Sequence, residues 1–288
     1  MIFSLLLVLV VGVCPAQGPG EQAVVIVPVA NLFSAPTEDT DVVTQAIYGT
    51  TVGLLEEQAN WIQVRMPDDY VGWVHWSALR RLKPGEKPYA SAGRIAQVEN
   101  LFANLYRETD VTKHKPLLTL PFGARLEVVA EPEAQERRWI EVRLPDERSA
   151  WIQRGDVALD PKPRSIAATI ELSKRFIGLP YLWGGTSSFG LDCSGFVQML
   201  YRERGILIPR DAGPQAAWQG FIAVPKNKLK PGDLLFFGRS EQKITHTGMY
   251  IGRNQFINAT THDQPMVQID NLKEPYWTKL FVAARRPK

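Results

Sequence analysis

Cysteine is nearly absent from this chain: there are two, Cys14 and Cys193. So few exclude a disulfide framework, and paired Cys-x-x-Cys metal ligands are missing. Histidine is scarce too, with four residues and no His-Glu-x-x-His, so neither a metal centre nor a cofactor is expected. The net charge of +3 is too small to single out nucleic acid as a partner, although it would not oppose residence near an anionic polymer. Glycine-rich stretches lack the Lys-Ser/Thr ending of a phosphate-binding loop, which argues against nucleotide binding. Long apolar runs are missing as well. The run Ile2–Val13 is too short for a comfortable membrane span and is followed by Cys14-Pro-Ala16 before Gln17. It reads as a signal peptide over residues 1–16, which predicts an exported protein, periplasmic or extracellular, with no span left after cleavage. Lipid anchoring at Cys14 is the alternative, disfavoured by the bulk of Val13.

What is present is a globular composition, 45% hydrophobic and 22% charged over 288 residues, enough for two or three domains. Short runs rich in Val, Ile and Trp alternate with turn residues from Ala23 onward, and the pattern then repeats. Asn31-Leu-Phe matches Asn100-Leu-Phe, Trp61-Ile-Gln-Val-Arg-Met-Pro-Asp68 matches Trp139-Ile-Glu-Val-Arg-Leu-Pro-Asp146, and Gly72-Trp-Val matches Ala150-Trp-Ile. Two copies of one small all-β barrel are expected, over residues 23–82 and 90–160. The second carries a charged insertion around Glu131 to Arg138. These repeats resemble bacterial SH3-like domains, with Phe33 where an arginine is common. Pro-containing linkers follow each copy, Arg80 to Pro88 and Asp160-Pro-Lys-Pro163.

From Ser165 the pattern changes. Ser165 can cap a helix whose apolar face is Ile166, Ile170, Phe176 and Ile177, ending at Gly178. Next come glycines 184, 185 and 190, then Cys193, then Phe196, Val197, Leu200 and Tyr201 at helical spacing up to Gly205. Cys193 would sit in the first turn of that helix, where free backbone N–H groups and the helix dipole favour a thiolate. In an exported chain trimmed to one cysteine, Cys193 has no internal disulfide partner, which favours a chemical role. Beyond Pro231-Gly-Asp the chain turns to strands, giving an α+β domain over residues 165–288.

A thiol nucleophile needs a base, and the base needs an acceptor that sets its tautomer. His246 lies in the first strand of a hairpin turning at Gly252-Arg-Asn254. If Ile251 pairs with Gln255, Gly248 faces Asn258, and both Asn258 and His262 become diagonal neighbours of His246.

Leu191-Asp-Cys193-Ser-Gly-Phe, Pro231-Gly-Asp-Leu-Leu-Phe-Phe, His246-Thr-Gly-Met-Tyr-Ile-Gly and Phe256-Ile-Asn258-Ala together resemble the NlpC family of papain-like cell-wall peptidases. The resemblance runs from about Ile170 to the C-terminus. It implies Cys193 as nucleophile, His246 as base and then acid, and Asn258 as the third polar residue, where histidine is commoner. It also implies Tyr181 beside the oxyanion, with the Cys193 N–H as the other donor. Asp192, Ser194, Arg210 and Asp211 are expected on the substrate side. Members with two preceding barrels imply cleavage between γ-D-glutamate and the diamino acid of peptidoglycan stem peptides that carry a free N-terminal L-alanine. Asp211 would take that ammonium, helped by Asp41 and Tyr70 of the first barrel, since a buried cation needs anionic partners. A non-catalytic wall-binding adaptor and an acyltransferase of the same fold are the alternatives.

Overall fold

The computed structural model describes residues 20–132 and 137–288. The expected signal peptide, with Cys14, lies outside the described residues, as does the middle of the charged insertion. No described helix is long and apolar enough to cross a membrane.

Seven strands from Gln22–Val25 to Leu79–Arg81 form the first sheet, and seven from Ile95–Val98 to Val157–Leu159 form the second. Counted along the chain, both sheets run in the order third, second, sixth, fifth, fourth, first, seventh. The alternation seen in the sequence is the cause: Ile62 and Val64, like Ile140 and Val142, point inward, whereas Gln63 and Glu141 remain partly exposed. Each sheet closes over its own apolar core. Of the barrel tryptophans, Trp73 and Trp139 are buried, while Trp76 is exposed.

The third unit opens with α1 (Ile166–Lys174), whose N-cap Ser165 accepts at Oγ from the Ala168 N–H at 3.2 Å. Its expected apolar face is found only in part. Phe176 and Leu172 enter the core, but Ile166 and Ile177 are exposed. The helix stops at Lys174, so Phe176 and Ile177 lie in a following turn and no longer obey the helical step. α2 (Cys193–Arg202) is buried at every residue except Arg202. A helix so enclosed can be apolar on most of its surface.

Two short helices, α3 (Ala212–Ala217) and α4 (Pro275–Leu280), flank a six-stranded antiparallel sheet. Its strands lie in the order Phe221–Ala223, Phe281–Pro287, Leu234–Ser240, Lys243–Gly252, Gln255–Thr260, Met266–Asn271. One face packs Phe236, Met249 and Ile257 into the core around α2, and the other packs Phe237 and Phe256 against Trp277. The last hairpin pairs Met249 with Ile257 and Tyr250 with Phe256, in the expected register. Near the turn it differs, since Gly252 pairs with Gln255 and Ile251 is taken up in a bulge. Gly252, Arg253 and Asn254 all have positive φ there, a tighter turn than direct pairing of Ile251 would make.

Both barrels dock on this unit. In the first, Gln45 accepts from the Thr186 N–H at 3.1 Å, and the Asp68 carboxylate accepts from Gln198 of α2 at 2.6 Å. In the second, Glu99 pairs with Arg164 and Arg175, Gln97 donates to buried Glu203, and the Phe122 ring meets Phe176 edge-on at 5.3 Å.

Candidate active site

Cys193 is the first residue of α2, and its position is built by a tight stack of glycines. A Cβ on Gly195 would lie 2.2 Å from the Gly185 carbonyl oxygen, so only glycine lets the helix start this close to the preceding loop. Asp192 caps α2, its Oδ1 accepting from the Gly195 N–H at 2.7 Å. Arg210, expected on the substrate side, is turned inward instead. Its guanidinium donates to Asp192 (3.0 Å), to Ser194 Oγ (2.9 Å) and to Thr44 Oγ1 of the first barrel (2.9 Å). The Arg210 side chain is 1% exposed, because the buried Asp192 carboxylate needs a cation there. Arg210 therefore holds the cap of the cysteine helix rather than a wall of the cleft.

His246, the expected base, lies in the sheet. His246 Nε2 lies 2.7 Å from Asn258 Oδ1. Asn258 is fully buried and donates through Nδ2 to Asp270 at 2.9 Å and to the Gln268 carbonyl at 3.3 Å. With Nε2–H donating to the amide oxygen, Nδ1 is left free to accept a proton. His262 takes no part: it stacks flat on Tyr276 at 3.7 Å and meets the edge of Trp277. The His246 ring is flanked by Phe237 and by Trp277, stacked at 5.1 Å.

These surroundings oppose charge. Burial, then the Asp192 charge, pushes the Cys193 thiol up to about 12, against the Thr247 N–H, Arg210 and the Ser194 N–H. Burial likewise holds His246 down to about 4, against the Asn258 bond and the charges of Asp270 and Asp192. The helix start by itself favours a thiolate, but desolvation is the larger effect here.

The cleft outside Cys193 holds about 590 Å³. Tyr181, Trp183, Asp192, Ser194 and Asp211 line it, and so do Asp41 and Tyr70 of the first barrel. Tyr70 donates its hydroxyl to Asp211 at 3.1 Å; burial first and then Asp211 push that hydroxyl up to about 12. Burial, followed by the nearby Cys193 and Asp192, raises the Tyr181 phenol too. Gly184 lets the barrel approach the cleft, since its φ is +75° and a Cβ there would clash at 2.6 Å with the Val42 carbonyl oxygen. Asp270 escaped sequence reasoning. The one available signal was its alternation with Gln268 along a short strand.

A cysteine heading a buried helix, set against a sheet that carries a histidine backed by an amide, is the site of a papain-like thiol peptidase. Profile comparisons agree: NlpC/P60 family matches residues 178–286, bacterial dipeptidyl-peptidase Sh3 domain residues 32–79, and GW (Gly-Tryp) dipeptide domain residues 86–158. The chain is 32% identical over 256 residues to a gamma-D-glutamyl-L-lysine dipeptidyl-peptidase of Bacillus cereus, covering 84% of this chain and 74% of that one. It is 31% identical over 259 residues to the Bacillus subtilis enzyme of the same name, covering 86% and 82%. The crystal structure of an NlpC/P60 family protein from Bacillus cereus superposes with a TM-score of 0.80 at 28% identity, over 92% of this chain and 99% of that one. The chain belongs to the NlpC/P60 family and is a cysteine peptidase.

Proposed function

We propose that this peptidase is exported and cleaves peptidoglycan stem peptides between γ-D-glutamate and the following diamino acid, acting only on peptides with a free N-terminal L-alanine. The observation that carries this reading is the meeting of Asp211, Tyr70 and Asp41 in the cleft that contains Cys193. Two carboxylates and a phenol lining one groove suit a primary ammonium, which cannot be buried without anionic partners. An ammonium held there would admit few residues before the scissile bond. The names of the two Bacillus relatives point the same way, and the apolar run Ile2–Val13 is the basis for export.

In this reading the Cys193 sulfur attacks the γ-carbonyl of glutamate while its proton passes to His246 Nδ1. The Tyr181 hydroxyl and the Cys193 N–H receive the oxyanion; losing one such donor typically costs about 2.7 to 4 kcal/mol of barrier. His246 then gives its proton to the departing amine, leaving a thioester between Cys193 and the dipeptide. Water, deprotonated by His246, hydrolyses that thioester and restores the thiol.

Mass spectrometry of products from L-Ala-γ-D-Glu-L-Lys and from its N-acetylated form tests bond and gate together. Release of L-Ala-γ-D-Glu is expected from the free peptide alone, and equal turnover of both would refute amine recognition. Cys193→Ala should abolish release. Undiminished activity in that variant would remove the nucleophile.

A further inference from the structure

His246, Asn258 and Asp270 stand twelve residues apart in sequence and join in one line across three neighbouring strands. The pairing makes the second step: Asn258 faces Gln268 and Phe256 faces Asp270, so Asp270 is a diagonal neighbour of Asn258 on the same face.

Asp270 is 9% exposed, yet no cation pairs with it among the described residues. Its oxygens accept only amide protons, at 2.9 Å from Asn258 Nδ2 and at 3.1 Å from Gln268 Nε2. Gln268 also donates toward the His262 carbonyl at 3.4 Å, which holds it on this spot. A carboxylate kept only for stability would ordinarily be buried with a cation. Here the positive charge appears one residue further along, on His246, and only when the imidazole takes up the thiol proton.

The amide of Asn258 has two orientations of almost equal shape, and only one presents oxygen to His246. A carboxylate accepts and does not donate, so Asp270 at 2.9 Å, joined by the more distant Gln268 carbonyl at 3.3 Å, turns Nδ2 toward itself and Oδ1 toward the imidazole. That places the imidazole proton on Nε2 and leaves Nδ1 as the base. We propose that Asp270 is a positioning residue of the peptidase, which sets the orientation of Asn258, thereby the tautomer of His246, and supplies the negative charge that a neutral asparagine lacks. The role assigned to His246 rests on the reading in the preceding subsection.

The charged groups that act on the imidazole are Asp270 across the sheet and Asp192 at the start of α2; Phe237 and Trp277 pack beside the ring. Among the carboxylates, Asp192 already serves Arg210, and Asp270 has no competing cation among the described residues.

The test uses the full chain with Asp270→Asn and Asp270→Ala, thermal melts to score folding, and two readouts. One is kcat and KM on the stem tripeptide. The other is the pH profile of Cys193 alkylation by iodoacetamide, which depends on the thiol and imidazole and not on which peptide is cut. Asp270→Asn keeps an oxygen for Asn258 Nδ2 but loses the charge, so the acidic limb of its profile should move to lower pH with KM unchanged. Asp270→Ala removes the charge and leaves the Gln268 carbonyl at 3.3 Å as the one weaker acceptor for Asn258 Nδ2, and kcat should fall by roughly 10- to 100-fold, the range found for outer partners of metal-ligating histidines. Asn258→Asp in the Asp270→Ala background should recover kcat, because a carboxylate there needs no orienting. Parent-like alkylation and kcat in Asp270→Asn would overturn the proposal, as would losses in either variant that merely follow the unfolded fraction. If the tripeptide is the wrong substrate, the alkylation profiles still decide the role of Asp270.

Discussion

The two barrels share strand order and even the turn between their fifth and sixth strands, but among the described residues only the first borders the cleft. In that turn Met66 N–H donates to the Tyr70 carbonyl at 2.8 Å, Asp69 has a φ of +65°, and Asp68 Oδ1 accepts from the Tyr70 N–H at 3.2 Å. The second copy repeats each detail with Leu144, Arg148, Glu147 (φ +70°) and Asp146. The residue at the tip differs. Tyr70 reaches across to Asp211, while Arg148 folds back onto Asp146 at 2.7 Å. Asp68 likewise sends its second oxygen to Gln198 of α2, where Asp146 keeps its own for Arg148. The same local backbone thus serves as a wall of the cleft in one copy and as an ordinary surface turn in the other.

Exchanging the tips should break this comparison most sharply. Tyr70→Arg puts a cation where the substrate ammonium is proposed to sit, and like-charge juxtaposition costs several kcal/mol, so kcat/KM for free-amine peptides should drop by about 100-fold, mostly in KM. Arg148→Tyr should leave kcat/KM unchanged. Equal effects of the two exchanges in steady-state assays would show that the first barrel has no special part in recognition. Tyr70→Phe, which removes only the bond to Asp211, should lower kcat/KM by roughly five-fold, the equivalent of about 1 kcal/mol.

The second barrel should answer in stability instead. Glu99 joins it to Arg164 and Arg175 at partly exposed sites, so Glu99→Gln should cost less than about 1 kcal/mol in a denaturant melt and leave kcat/KM alone. A catalytic defect there would erase the division of labour.

The smallest effect is a difference in pH response. Tyr70 is held up toward 12, so its contribution is complete below the ordinary phenol value of 10 and is lost as pH rises through 12. In Asp146, burial works upward, but the side-chain and backbone bonds to Arg148 outweigh it and hold the carboxyl below its usual 3.8. That contribution is present above 3.8 and is lost as pH falls further. Melting temperatures across pH should therefore show Tyr70→Phe flattening the alkaline side and Asp146→Asn the acidic side.

Much of this was legible along the chain. The matched runs from Trp61 and Trp139 announced two copies, because a buried alternation of Ile and Val must recur wherever the same sheet does. Ser165 announced its helix by the capping rule. Ile177 misled, since periodicity alone does not say where a helix stops, and Ile166 at the first turn is exposed although it keeps the helical spacing. Ile251 misled because one bulge residue is invisible in a pattern of alternation. Arg210 was expected on the substrate side, and nothing local reveals that Asp192 lies beneath it. Asp270 carried no motif at all; its meaning depends on a strand pairing two hairpins away from Cys193.

The sequence by itself determined the elements and the chemistry of the parts: the repeated barrels, a cysteine at a helix start, a histidine and an asparagine one hairpin apart. These follow from local rules of spacing, capping and alternation. Tertiary structure alone decided which parts meet, because burial and charge are properties of neighbourhoods. Docking of the first barrel brought Tyr70 to Asp211, burial set Cys193 and His246 where charge is disfavoured, and the edge strand Met266–Asn271 set Asp270 behind Asn258.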